Sequence, residues 1–332
     1  MMLWLQFAAC TSVIVFSGVR LSRYGDVIAE HTGMGRTWIG VALMASATSL
    51  PELITGISSV TIYDLPNIAA GDVLGSCVFN LVILAFVDIG RKAPPISAVA
   101  HQGQVLSAAF GVLLLAVATL HLLAPGAIPR VAWMGLSSIV LLVIYAVAMR
   151  LVFAFEKRRI AEYLGEVAEE SAGAKVSAAT AYRNFALHAL IVMAAATYLP
   201  LLAGRIAEIT GLGTTYVGSV LVAVSTSLPE VVVTREALKL GAVDLAVGNV
   251  LGSNLFNMAI LALDDGFYFT GPLLTHISPA HALTSTAAMM MTAIMIISLT
   301  YRSRHRVLFF PWSSVGILIV YGVLSFLLFL TR

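Results

Sequence analysis

Charge is what this chain has least of. Only 11% of its 332 residues are Asp, Glu, Lys or Arg, while 59% are hydrophobic. A soluble domain carries about 25% charged residues. The length would suffice for two soluble domains, but this composition, with a mean hydropathy of +0.95, excludes them. What remains is a polytopic membrane protein whose solvent is mostly lipid. Cysteine is nearly absent too. Cys10 and Cys77 both lie in apolar stretches, which excludes a disulfide framework and a zinc cluster. No His-Glu-x-x-His and no Gly-x-Ser-x-Gly phrase occurs, so the usual metalloprotease and serine-hydrolase signatures are missing. The histidines are scattered near loops and span ends. The formal net charge is only +2, and no nucleic-acid partner is expected. The apolar run from Met1 to Val19 has no basic residue ahead of it; Arg20 and Arg23 follow it. A retained first helix is therefore expected rather than a cleaved signal.

Long apolar runs are what the chain does have. Spans of roughly 20 residues are expected at 3–19, 37–62, 67–89, 104–124, 131–153, 186–203, 212–234, 243–263, 282–300 and 307–330, ten in all. With the N-terminus outside, 16 of the 19 Lys and Arg residues fall on cytoplasmic segments, and only Arg130, Arg205 and Arg332 fall outside. That bias follows the positive-inside rule and implies that both termini are outside. Residues 155–184 form the longest polar segment, opening with Glu156-Lys157-Arg158-Arg159. They are expected to be a cytoplasmic linker, as a solvated chain or with a short amphipathic helix. It separates a first half, 1–154, from a second, 185–332.

The two halves repeat each other. Thr48-Ser49-Leu50-Pro51-Glu52 recurs as Thr226-Ser227-Leu228-Pro229-Glu230, and His31-Thr32-Gly33-Met34-Gly35 matches Ile209-Thr210-Gly211-Leu212-Gly213. The run Gly71-Asp72-Val73-Leu74-Gly75-Ser76-Cys77-Val78-Phe79-Asn80 matches Gly248-Asn249-Val250-Leu251-Gly252-Ser253-Asn254-Leu255-Phe256-Asn257. Each half holds five expected spans. Five is odd, so the second half should enter the membrane with the opposite orientation, giving inverted repeats about an axis in the membrane plane. The fold expected is an all-α integral membrane protein of ten transmembrane helices in two inverted five-helix repeats.

The repeated phrases also carry the chemistry. A proline inside a helix removes one backbone hydrogen bond and clashes with the carbonyl one turn earlier. Pro51 and Pro229 should free carbonyls near 47–48 and 225–226, beside Glu52 and Glu230 and the hydroxyls of Thr48, Ser49, Thr226 and Ser227. Carboxylates at membrane depth usually face a bundle interior or a water-filled path. This all-oxygen set with two negative charges suits calcium, a hard cation taking 6–8 oxygens. Asp72, Ser76 and Asn80 are spaced by four and share one helix face, as do Asn249, Ser253 and Asn257. Neutral hydroxyl and amide oxygens there suit a monovalent ion. Asp72 could be an entrance ligand or a solvated acid at a helix start. Asp88, Asp264 and Asp265 lie near helix ends and are expected at the interface. The glycines Gly71, Gly75, Gly248 and Gly252 suit close helix packing.

These phrases resemble the two alpha-repeats of the calcium/cation antiporter superfamily, and in particular its sodium/calcium exchanger branch. The resemblance covers about 27–88 and 205–265 and extends to the ten-span layout. It implies alternating access, with the first and sixth helices sliding against a core made by the others. It assigns calcium to Glu52, Glu230, Thr48 and Thr226, and flanking sodium sites to Ser49, Ser76, Asn80, Ser227, Ser253 and Asn257. Asp72 joins them as a further candidate ligand. The chain departs from the family pattern in having amides at both Asn80 and Asn257, a carboxylate at Asp72 and a thiol at Cys77.

The expected function is thus a secondary-active cation antiporter, with sodium/calcium exchange first and proton-coupled exchange of calcium or another cation as the alternative. A channel or an intramembrane enzyme ranks behind both. Calcium and sodium, or protons, are expected as transported ions, with no cofactor. The expected partners are small cations and the lipid bilayer, the chain acting as a monomer. Short loops suit a prokaryotic inner membrane.

Overall fold

The computed structural model describes residues 1–31, 47–91, 94–164, 177–302, 306–307 and 310–331. In the first half, α1 is Met2–His31, α2 Leu50–Thr61, α3 Pro66–Ile89, α4 Ile96–Val99, α5 Gln104–Leu123 and α6 Leu136–Leu164. In the second half, α7 is Ala178–Thr210, and Gly213–Thr226 forms α8. After it come α9 Leu228–Lys239, α10 Val243–Phe267, α11 Leu273–His276, α12 His281–Tyr301 and α13 Trp312–Leu330. Eight of the described helices are long and apolar enough to cross a membrane, and the bent pair α8–α9 makes up to nine. The second expected span lies partly outside the described residues, as do the motif residues 32–35. Its described part, α2, has 12 residues.

Where the described helices cover an expected span, hydropathy located the helix but not its ends. The run 3–19 belongs to a 30-residue helix, and 186–203 to a 33-residue one capped by the Ser177 hydroxyl. The fifth and tenth spans start later than expected. Two-residue strands precede them, pairing as antiparallel hairpins: β1 (Arg130–Val131) with β2 (Met134–Gly135), and β3 (Arg306–Val307) with β4 (Phe310–Pro311). The structure is therefore helical with two small hairpins rather than wholly α. Residues 155–164 continue α6 and 178–184 open α7, while 165–176 lie outside the described residues.

The most buried helices are α3 and α10, which pack on each other at the centre. Their interior residues, among them Leu74, Leu81, Val250 and Leu261, join Leu114, Leu115, Met291 and Leu299 from α5 and α12 in the main core. A second apolar cluster joins α1 to α7 through Phe7, Ile14, Leu199, Leu202 and Ile206. At the margin of the main core, equivalent acids do equivalent work. Asp88 Oδ1 accepts from the Ile96 N–H at 2.8 Å, and Asp265 Oδ1 accepts from the Leu273 N–H, eight residues on in both cases. Each thereby anchors the start of a four-residue helix, α4 or α11. Asp265 Oδ2 also accepts from the Gly135 N–H at 2.9 Å, tying down the first hairpin. These two acids, and Asp264 with them, lie near helix ends as expected but are enclosed by protein, at most 5% exposed. Asp265→Ala is expected to strand two buried N–H groups and to cost about 2–5 kcal/mol. Thermal unfolding of the purified variant would measure it; an unchanged midpoint would mean that the anchoring is dispensable.

Candidate cation site

Both prolines break their helices in the same way. Ser49 has φ −89° and ψ 11°, and Ser227 has φ −86° and ψ 3°. Each serine leaves helical geometry, and a new helix starts on the next residue with proline in its first turn. A proline there loses nothing, because that N–H would have no intrahelical partner. Upstream it matters: with no N–H on Pro51 or Pro229, the Ala47 and Ser225 carbonyls lack their donor four residues on. The break bends α8 against α9 by 43°. Glu52 and Glu230 fall in the first turn after the break, where a helix N-terminus favours negative charge.

Each glutamate faces the Thr-Ser pair of the opposite half. Ser227 Oγ donates to Glu52 Oε1 at 3.1 Å and shares a 2.9 Å hydrogen bond with Ser76 Oγ. Thr226 Oγ1 donates to Asp72 Oδ1 at 2.7 Å. Reciprocally, the hydroxyls of Thr48 and Ser49 stand within electrostatic reach of Glu230, and the two glutamates of each other. Thr48, Ser49, Glu52, Asp72, Ser76, Asn80, Thr226, Ser227, Glu230, Ser253 and Asn257 are all 0% exposed. Asp72 is therefore no solvated helix-start acid; it belongs to this buried cluster. Asn80 Nδ2 donates to Asn254 Oδ1 at 2.9 Å. Ser253 and Asn257 are buried on α10, but no hydrogen bond joins them to either glutamate among the described residues.

Unpartnered oxygen is the chemical signature of the cluster. Glu52 Oε2, both Glu230 carboxylate oxygens, Asp72 Oδ2, Ser49 Oγ, Ser253 Oγ, Asn80 Oδ1 and Asn257 Oδ1 have no hydrogen-bond partner among the described residues. Buried polar groups normally find one, and exceptions call for an explanation such as an ion. Among the described residues, no group of three His, Cys, Asp or Glu side chains is placed to hold a metal by itself. A cation here would draw on hydroxyl, amide and backbone oxygens as well, as a hard ion does.

Sequence reasoning missed three features. Asn254 ties α10 to α3, donating to the Cys77 carbonyl at 3.0 Å while accepting from Asn80. The repeat held a hint, since Asn254 is the counterpart of Cys77. Val217–Val222, upstream of the second break, is a π-helical turn, a form frequent at functional sites. Thr11 of α1 donates to Ser225 Oγ at 3.0 Å, which brings the first helix to the edge of the cluster.

A helical bundle that keeps carboxylates dry at its centre, between two matched helix breaks, has the architecture of an integral membrane transporter. The comparisons with known proteins place it more closely. A family model described as "Sodium/calcium exchanger protein" matches residues 2–154 and 182–330, and the chain belongs to that family. It is therefore a membrane cation antiporter, of a family of exchangers rather than enzymes. It is 25% identical over 324 residues to "Inner membrane protein YrbG" of Escherichia coli (strain K12), covering 95% of this chain and 92% of the relative. Among solved structures it resembles the sodium-calcium exchanger NCX_Mj with a TM-score of 0.61 and 22% identity, covering 97% of both chains. It also resembles the "H+/Ca2+ Exchanger CAX" with a TM-score of 0.70 and 11% identity, covering 99% of this chain and 85% of that one.

Proposed function

We propose that this chain exchanges calcium for sodium through one central site. Glu52 and Glu230 are the calcium carboxylates, helped by Thr48 and Thr226. Ser49, Ser76, Asn80, Ser227, Ser253 and Asn257 supply neutral oxygens for sodium, and Asp72 assists through Thr226. The observation that carries this reading is the reciprocal facing of two dry glutamates and two Thr-Ser pairs across matched helix breaks. Two negative charges can be balanced by one calcium ion or by monovalent cations in its place. An empty site would strand two carboxylates in a low dielectric, so one charge set enforces exchange. The ten-helix, two-inverted-repeat arrangement belongs to the same proposal, with alternating access and both termini outside. The recurring order of broken helix, buried helix and anchored four-residue helix in each half supports it. A prokaryotic inner membrane is proposed as the location, in keeping with the Escherichia coli relative.

Calcium uptake into proteoliposomes tests the coupling. Vesicles loaded with sodium should take up calcium, and sodium-free vesicles with an acid interior should not. Uptake only from the acid interior would transfer the coupling to protons. No uptake under either gradient would remove calcium as the substrate.

A further inference from the structure

Asp264 has no place in the site described above. It is 0% exposed, and neither carboxylate oxygen has a hydrogen-bond partner among the described residues. Its neighbour on α2 is Gly56: a Cβ built there would fall within the Asp264 carboxylate, so the missing side chain is what makes room for the acid. Gly56 lies four residues after Glu52, on the same face of the helix, about 6 Å further along its axis. Asp72 is within electrostatic reach of both Glu52 and Asp264. Each of the three acids has an unpartnered oxygen, and Asp264 lies three residues before the end of α10 at Phe267. Phe267 itself is 44% exposed.

Comparison of the halves argues against a purely structural acid. The residue that anchors the following helix is Asp265, the counterpart of Asp88, and both of its oxygens are already bonded to backbone N–H groups. The counterpart of Asp264 is Val87, and that of Gly56 is Thr234. The repeat therefore has no second carboxylate at the position of Asp264 and no second glycine at that of Gly56, so this pairing belongs to one half only. A buried carboxylate without a donor is stable only when it is paired with a positive charge or takes up a proton. Since a single carboxylate faces Gly56, one monovalent cation or one proton neutralises it.

We propose that Asp264 is a second cation station, holding one sodium ion or one proton between the central glutamates and the membrane face where α10 ends. Its part in transport rests on the central-site reading; its capacity to bind a monovalent cation does not. The charged groups near it are Asp265 on its own helix and Asp72 on α3. Glu52 stands one turn away on α2.

The test is ligand-dependent thermal stabilisation of the purified full chain, titrated separately with calcium, with sodium at constant ionic strength, and with pH. A ligand that binds only the folded state raises stability in proportion to the logarithm of its concentration over Kd. Asp264→Asn should leave the calcium response within about twofold. It should weaken the sodium response about tenfold if the station holds sodium, or flatten the pH response if it holds a proton. Moving the carboxylate across the contact, with Gly56→Asp and Asp264→Gly together, should restore whichever response was lost. A purely structural acid would not be rescued in this ligand-specific way. Unchanged sodium and pH responses in Asp264→Asn would overturn the proposal. So would a folded swap variant without the lost response, or failure of both variants to fold. Absence of a calcium response in the wild type would count against the central-site reading alone, because the sodium and pH arms are read independently of calcium.

Discussion

Glu52→Gln and Glu230→Gln are each expected to lower calcium-dependent exchange by at least about a hundredfold while leaving the protein folded. The magnitude follows from charge. Removing one member of a set of buried interacting charges typically costs about 3–5 kcal/mol, and 1.4 kcal/mol is a factor of ten. Calcium would lose one of its two glutamate carboxylates in a site with no exposed surface, where water cannot make up the deficit. The fold should survive for the same reason. Gln keeps the shape of Glu and, at position 52, an oxygen to accept the 3.1 Å hydrogen bond from Ser227. Radioactive calcium uptake and the unfolding temperature of the same preparation would separate the two effects. Wild-type uptake by either variant would remove that glutamate from the site. Unfolded protein would leave uptake to be judged on Ser227→Ala, which deletes the bonds to Glu52 and Ser76 without removing a charge and should cost about tenfold or less.

Much of this site could be read from the sequence, because its defining events are covalent or local. A proline has no N–H in any fold, so the break before Glu52 and Glu230 could be placed within a residue or two. Spacing by four puts Asp72, Ser76 and Asn80 on one face of any helix. What escaped depended on a partner distant in sequence. Asp72 had two readings until Thr226, 154 residues away, was found donating to it. Asp264 looked interfacial because it is three residues from a helix end. It is buried because Gly56 on another helix leaves space for it, and no local pattern encodes that. Helix lengths escaped for a different reason. Hydropathy measures the part of a helix that lipid can hold, whereas α1 and α7 run on together beyond it. Tyr24, beyond the first expected span, stacks on His188 of α7 with ring centroids 6.0 Å apart. The hairpins before α6 and α13 are only two residues per strand, too short for an alternating pattern to be visible.

Gly75→Val is expected to have the second-largest effect, at least a tenfold loss of exchange together with a lower unfolding temperature. Helix α3 crosses the π-turn of α8 with backbone against backbone. A Cβ on Gly71 would stand 2.8 Å from the Ser219 nitrogen; one on Gly75 would stand 2.8 Å from the Ala223 Cβ and closer still to the Ser219 carbonyl oxygen. Backbone atoms cannot rotate aside as a side chain can, so the two helices must separate. Overpacking of this kind costs about 1–3 kcal/mol for small insertions, and the branched valine would cost more than alanine. The functional loss should exceed the stability loss because of what lies next to the contact. Ser76 follows Gly75 and holds Ser227 at 2.9 Å, while Asp72 follows Gly71 and holds Thr226 at 2.7 Å. Parting the helices pulls both links away from Glu52 at once. Gly25→Ala is the matched control: its Cβ would meet Phe185 at an ordinary 3.5 Å, and a helical Gly→Ala change there should be neutral or stabilising by about 0.5–1 kcal/mol. If Gly75→Val exchanged calcium as the control does, α3 and α8 would have to part freely during the cycle, and the hydroxyl links across them could not be what positions Glu52.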